Sequence, residues 1–154
     1  MHADGRMTHY RLHDRLGYRV SRLARIMQTR LEAVLAEEGL TRMMWLVLTG
    51  LGEDGVRTPS ELADYIGITR PAASRLLKRM EDRGFVVRAD GDGDGRSIAL
   101  GLTEAGREVV DRARPRVDDL TTHFVSKLDP ATHSVLMNGL ARLAEGETGD
   151  FTEL

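Results

Sequence analysis

Cysteine is missing from the 154-residue chain. Its absence excludes a disulfide, a thiolate metal site, a cysteine nucleophile and any thiol-based sensing of oxidants. Long hydrophobic runs are missing too. The longest apolar stretch, Met43 to Leu48 and then Leu51, is far too short to cross a bilayer. The N-terminal run MHADGRMTHYRLHDR is studded with charge and lacks the apolar core of a signal peptide. The expectation is a soluble, cytoplasmic protein with no membrane partner. Lysine is scarce, occurring only at Lys78 and Lys127, so the basic charge is carried by arginine. No glycine-rich phosphate loop, Ser/His/Asp order or metal-ligand motif is visible, which argues against an enzyme and against a cofactor.

The length suits one compact domain, or a small reader domain with helical extensions, and can bury a core without disulfides or metal. Formal net charge is −2, mildly unfavourable for a nucleic-acid partner if taken alone. Its distribution is uneven. Between Thr69 and Arg88 stand Arg70, Arg75, Lys78, Arg79, Arg83 and Arg88, against only Glu81 and Asp82. From Glu145 onward every charge is acidic: Glu145, Glu147, Asp150 and Glu153. A basic centre with acidic flanks is the pattern of a local DNA footprint. Arginine-rich codon usage would give many of the same basic residues.

Apolar residues at Leu12, Leu16, Val20, Leu23, Met27, Leu31 and Val34 recur in steps of three and four. They predict a long amphipathic helix over 10–38, its other face bearing Arg11, Arg15, Arg19, Arg22, Arg25 and Arg30, with Gly39 as C-cap. Thr41 can cap a nearly all-apolar helix to about Leu51, of the kind buried on most sides. Thr58-Pro59-Ser60-Glu61 is the sharpest local signal. It places threonine at N-cap, proline at N1 and glutamate at N3 of a short helix closed by Gly67. Thr69 caps the next helix, to about Arg83, with Pro71 tolerated in its first turn and Gly84 ending it. Phe85–Arg88 and Ser97–Leu102 read as strands around a turn-rich Asp/Gly tip. Thr103 then opens a long helix to about Lys127, with a bend expected at Pro115. Asp129-Pro130 opens the last helix, with Val135, Leu136, Leu140 and Leu143 on one face.

Helix, glycine turn, helix and hairpin make a winged helix-turn-helix, whose second helix can enter the major groove. Only there do base edges carry a full donor and acceptor code. The outward positions of that helix are Arg70 or Pro71, Ser74, Arg75 and Lys78. Arginine can grip guanine bidentately, serine can bond base or phosphate, and lysine neutralises phosphate. Arg88 and Arg96 on the hairpin are expected beside the same face. A solvated arginine face is the bland alternative for the helix alone. The ordered set of cap, turn, basic helix and hairpin favours double-stranded DNA.

From about Leu12 to Leu143 the chain resembles the MarR (multiple antibiotic resistance regulator) family. The resemblance is carried by Thr58-Pro-Ser-Glu-Leu-Ala and by Ile68-Thr-Arg-Pro-Ala-Ala-Ser-Arg-Leu-Leu-Lys-Arg-Met-Glu-Asp-Arg-Gly-Phe-Val. Arg88, Asp94-Gly95-Arg96 and Leu102-Thr103-Glu104-Ala105-Gly106 follow at matching spacing. It implies a mostly α fold with a small β-hairpin wing, in which 41–102 is the DNA-binding domain. It implies that 10–38 and 103–146 form a helical dimerisation region, and 147–154 reads as an acidic tail. The DNA-contacting set becomes Thr58, Thr69, Arg70, Pro71, Ser74, Arg75, Lys78, Arg79, Arg88, Asp94 and Arg96. Arg96 would enter the minor groove, and Asp94 would orient the wing by pairing with an arginine. Pro71 and Ala72 stand where the family often has hydroxyl residues, and Gly95 where it usually has a bulkier one. Both departures predict modest or strongly salt-dependent affinity.

A homodimer is expected on physical grounds as well, because so small a reader domain cannot cover the apolar stripes of both terminal helices. A two-fold dimer sets recognition helices about 34 Å apart and predicts a pseudo-palindromic operator, with repression the family's commoner mode. The resemblance further implies a small aromatic or anionic effector, with candidate lining His13, Tyr18, Met44 and Trp45. Core is the stronger reading of Met44 and Trp45. His9 and His13, four apart, could share a metal, but solvated histidines are the stronger reading and no metal is expected. Asp90, Asp92 and Asp94 superficially resemble a calcium loop, yet Gly101 stands where its bidentate glutamate belongs. The competing function is a winged helix that binds protein and has no salt-dependent affinity for DNA.

Overall fold

The computed structural model describes residues 11–90 and 98–147. Six helices and one hairpin follow the predicted order: α1 (Leu16–Ala36), α2 (Arg42–Gly52), α3 (Pro59–Ile66), α4 (Arg70–Asp82), β1 (Val86–Asp90), β2 (Ile98–Leu102), α5 (Glu104–Val125) and α6 (Pro130–Ala144).

The first helix begins later than its periodicity suggests. Leu12–Asp14 forms a separate 3-10 turn, and Arg15 is extended (φ −81°, ψ 135°). Arg19 holds the break. Its Nε donates to the His13 carbonyl at 2.8 Å, and its Nη2 lies 3.2 Å from Asp14. A side chain at N4 therefore satisfies groups that an unbroken helix would have used otherwise. At the other end Gly39 (φ 69°) is left-handed, and Leu40 N–H bonds back to Leu35 O at 3.0 Å. This Schellman closure places the helix end at Ala36, two residues short of the expected boundary.

The polar start signals act as read. Thr41, Thr58, Thr69, Thr103 and Asp129 each accept a backbone N–H at the head of a helix. At α3 the capping box is complete, because Glu61 also accepts from the Thr58 N–H at 3.2 Å. Gly67 (φ 79°) turns the chain between α3 and α4, and Gly84 (φ 74°) between α4 and β1. α5 continues through Pro115 over 22 residues without interruption.

The core lies within the reader domain and beneath the start of α5. Leu35, Val47, Leu48, Leu62, Leu77, Met80 and Val109 are its most enclosed side chains. β1 and β2 pair antiparallel with Val86 opposite Leu102 and Asp90 opposite Ile98. Val86, Leu100 and Leu102 face inward while Val87 is half exposed, the alternation that a two-residue period demands. Arg57 O accepts from Leu100 N–H at 2.7 Å, stitching the α2–α3 loop to the hairpin. α5 is clamped to the rest of the molecule by ion pairs of Arg112 with Glu38, Arg114 with Glu53 and Arg116 with Glu37.

The two terminal helices are covered unevenly. In α1 only Leu35 is buried, and Leu16, Val20, Leu23, Ile26 and Met27 are all at least 40% exposed. α6 buries no residue at all. Among the described residues no helix is long and apolar enough to cross a membrane.

Candidate nucleic-acid interface

α4 is strongly two-sided. Ala73, Leu76, Leu77 and Met80 are buried, while Arg70, Pro71, Ser74, Arg75, Lys78 and Arg79 are exposed. Steps of three and four produce this division, since residues so spaced share one helical face. The buried face rests on α2 and α3, so the helix projects its basic face outward as a rigid ridge. Among the described residues Arg70, Arg75 and Arg79 have no ion-pair partner. Lys78 is different: its ammonium lies 2.8 Å from Asp82. That hydrogen bond raises its pKa above the ordinary lysine value, so the group stays charged but shares its charge with a neighbour.

Thr58 and Thr69 cap α3 and α4 through Oγ1, which accepts from Glu61 N–H and Ala72 N–H. A hydroxyl that accepts still has its own proton to donate. Both threonines sit at helix N-termini, where unpaired N–H groups and the helix dipole favour phosphate.

Arg88 is placed otherwise than expected. It was anticipated on the DNA side of the wing, but it shares the inner face of β1 with the buried Val86. Its Nε lies 2.8 Å from Glu81 on α4, with about 30% of the side chain exposed. The alternation of the strand is the reason, and alternation was legible in the sequence. Asp94 and Arg96 lie outside the described residues, as do His9 and the stretch beyond Glu147.

Arg83 and Arg57 were not singled out as site residues. Arg83 donates to Gly39 O at 3.1 Å and lies over the Phe85 ring. Arg57 Nη1 donates to the carbonyls of Leu51 and Val56, each at 2.7 Å. Both are bracing residues.

The suggested effector lining is not brought together as one site. His13 and Tyr18 stack edge to face at 4.7 Å on the exposed start of the chain. Met44 and Trp45 are core residues, each 7% exposed, with Arg114 over the indole ring. The apolar period of α2 turns both inward, so size and hydrophobicity decided their place. A cavity of about 280 Å³ opens instead between α1, α2 and α5. Met27, Leu31, Leu46, Val117, Leu120 and Phe124 supply its apolar wall, and Gln28, Thr121 and Arg42 its polar groups. Arg42 is only 12% exposed, its sole ionic neighbour among the described residues is Glu32 at 4.0 Å, and its Nε has no hydrogen-bond acceptor there.

Known proteins with the same pattern agree with this arrangement. Residues 38–97, spanning α2 to the wing, match the family model described as the MarR family. An HTH-type transcriptional repressor of Mycobacterium tuberculosis is 29% identical over 113 residues, covering 73% of this chain and 81% of the relative. The crystal structure of a MarR family transcriptional regulator from Silicibacter pomeroyi has a TM-score of 0.78 at 26% identity, covering 89% of this chain and 92% of that one. Bordetella bronchiseptica BpsR, whose DNA binding is described as regulated by 6-hydroxynicotinic acid, shares the fold. Its TM-score is 0.78 at 18% identity, covering 90% of this chain and 99% of that one. In its helix-turn-helix, its wing strands and its flanking long helices, all in the shared order, the chain is similar to the MarR family, whose model it matches over 38–97.

Proposed function

We propose that the chain is a sequence-specific DNA-binding transcriptional regulator, acting as a repressor and without catalytic activity. The carrying observation is the exposed basic face of α4, rigidly backed by four buried side chains and with three arginines lacking an ion-pair partner among the described residues. Arg70, Ser74 and Arg75 read base edges in the major groove, while Lys78 and Arg79 neutralise phosphate. Pro71 packs against the bases at the helix start. Thr58 and Thr69 donate to backbone phosphates. Arg88 steadies the wing through Glu81, and Arg96 and Asp94 serve the wing tip.

The regulator works as a homodimer on a pseudo-palindromic operator. The exposed apolar faces of α1 and α6 support this, because water-exposed stripes of that extent mark a partner surface. Such a protein works where the genome is, in the cytoplasm. A small organic anion with an apolar body is the effector that suits the cavity between α1, α2 and α5. Arg42 would meet the anion and the apolar wall its body, and a half-paired cation so enclosed gains much from an anionic ligand.

Fluorescence anisotropy on a duplex from the gene's own upstream region, across a salt series, tests the central reading. Tighter binding than to scrambled duplex, falling steeply with salt, is the expected result. Equal or absent binding at low salt would favour a winged helix that docks on protein.

A further inference from the structure

We propose that the hollow between the end of α2, the base of the wing and the first turn of α5 is a separate anion site, which takes the phosphate group of a small phosphate monoester. The hollow is open to solvent and measures about 320 Å³. Leu51, Leu100 and Leu102 form its floor, Gly52 and Gly101 its sides, and Arg57 and Arg107 its cationic rim. It shares no residue with the cavity between α1, α2 and α5.

Arg57 is fixed before any ligand arrives. Its Nη1 donates to Leu51 O, one of the last carbonyls of α2, and to Val56 O, each at 2.7 Å. Its backbone is held from both sides, the N–H by Glu61 at 2.8 Å and the carbonyl by Leu100 N–H at 2.7 Å. Nε and Nη2 have no acceptor among the described residues. Arg107 is exposed, and its guanidinium has neither ion pair nor hydrogen bond among the described residues. A main-chain donor joins these two cations. Leu100 N–H points to the outer edge of β2, where Arg57 accepts it, whereas Thr103 N–H points inward to Phe85 O. Strand alternation therefore turns Leu102 N–H outward to the edge that the hollow borders, and no acceptor among the described residues meets it.

Gly101 points to an occupant. The pairing of β1 with β2 runs without a bulge, and Gly101 is not among the glycines of positive φ. A Cβ there would meet only Val87 Cγ1, at 3.9 Å. Neither backbone nor packing thus calls for glycine where it weakens the strand, and close approach of a ligand is the remaining reason. Acidic side chains near the hollow in the chain are engaged elsewhere. Glu53 pairs with Arg114, Asp54 accepts from the Tyr65 hydroxyl, and Glu61 accepts from the backbone of Arg57 and Thr58. Glu104, Glu108 and Asp111 neighbour Arg107 on α5 and form no ion pair with it. Two guanidinium groups and a main-chain N–H suit a phosphate monoester, with its several acceptor oxygens and about two negative charges. The leucine floor suits an apolar ester group. The single cation of the other cavity, Arg42, suits a monocarboxylate instead. A phosphate held between Arg57 and Arg107 ties the α2–α3 loop and the base of the wing to α5.

Calorimetric titration of the full chain with phenyl phosphate, against sodium chloride at equal ionic strength, tests the site. The native chain should bind it, and its thermal midpoint should rise with ligand. Arg107→Gln should raise the dissociation constant at least about tenfold, as expected for loss of one charge-assisted contact. Gly101→Val puts a branched side chain at the edge of the hollow. It should abolish detectable binding while leaving the ligand-free midpoint equal or higher, because valine suits a strand better than glycine. Those opposite effects separate a blocked site from a misfolded one. Arg42→Met should leave the affinity for phenyl phosphate unchanged. A native chain that gives no binding heat overturns the site, as does binding that survives both Arg107→Gln and Gly101→Val. Loss of binding in Arg42→Met would place the ligand in the other cavity and overturn it too. Weaker binding of Arg107→Gln to every duplex, with its phenyl phosphate affinity intact, would assign the hollow to the DNA backbone and also overturns it. None of these outcomes bears on the base-reading role of α4.

Discussion

Arg88 Nε lies 2.8 Å from Glu81 Oε1, joining the first wing strand to the last turn of α4. The N–H meets no acceptor in hydrogen-bonding geometry, so the contact is coulombic. Both side chains are about 30% exposed, which limits the stability of the pair to about 1 kcal/mol or less. Glu81→Gln should therefore lower the thermal midpoint by no more than about 2–4 °C. It should also strengthen low-salt DNA binding in anisotropy, since one anion leaves the basic surface and Arg88 can turn to a phosphate. Unchanged affinity would show that Arg88 serves the wing alone.

Arg70→Ala and Arg75→Ala should each cost about 1–3 kcal/mol on the operator and relax preference at one base pair. Lys78→Ala should weaken binding to all duplexes alike and reduce the salt slope. Competition titrations with single-base variants distinguish the two behaviours. Equal losses on every sequence would reassign the arginines to phosphate.

A Cβ at Gly106 would stand 2.3 Å from Phe85 O. The first turn of α5 can sit so close to the backbone entering β1 only because that position has no side chain. Gly106→Ala must move backbone, and a loss of about 2–3 kcal/mol in urea unfolding is expected. A midpoint equal to wild type would mean the approach is looser than the geometry indicates.

Arg42→Met keeps the length of the side chain and removes its charge from the cavity wall. Binding of benzoate, measured by calorimetry, should then fall at least about tenfold, as expected for loss of a charge-assisted hydrogen bond. Operator affinity without ligand should be unchanged. Retained ligand binding would move the effector site elsewhere.

The Asp129 carboxylate caps α6 and accepts from the Thr132 hydroxyl at 2.6 Å and the Thr132 N–H at 2.9 Å. The hydroxyl bond is the larger cause of a pKa held below the ordinary carboxylate value, and the backbone bond adds to it. A depressed folded-state pKa stabilises above the unfolded value and is lost as pH falls through the folded one. Amide protection at the start of α6, corrected for the intrinsic exchange rate, should therefore fall below about pH 4, and Asp129→Ala should remove that dependence.

Much of this was legible because it is local. Thr58 and Glu61 can satisfy each other's backbone groups only at N-cap and N3, so the start of α3 needs no tertiary information. Gly67 and Gly84 mark the turns because a positive φ suits no other residue as well. The start of α1 was not legible. Periodicity says which face is apolar, but the break at Arg15 depends on Arg19 reaching back to His13. Met44 and Trp45 are core, as their place in a nearly all-apolar helix suggests, whereas the cavity beside them draws its wall from three helices that no single stretch of sequence brings together.

The order of elements, the basic face of α4 and the caps follow from spacing of three, four and two along the chain, which backbone geometry converts directly into faces and ends. Which arginines are spent internally was decided only by the tertiary structure. Arg83, Arg88, Arg112, Arg114 and Arg116 meet partners distant in sequence or on other elements, whereas Arg70, Arg75 and Arg79 meet none among the described residues. A charge pattern states how many cations a chain carries. Folding brings carboxylates and carbonyls to some of them, and only the remainder can bind another molecule.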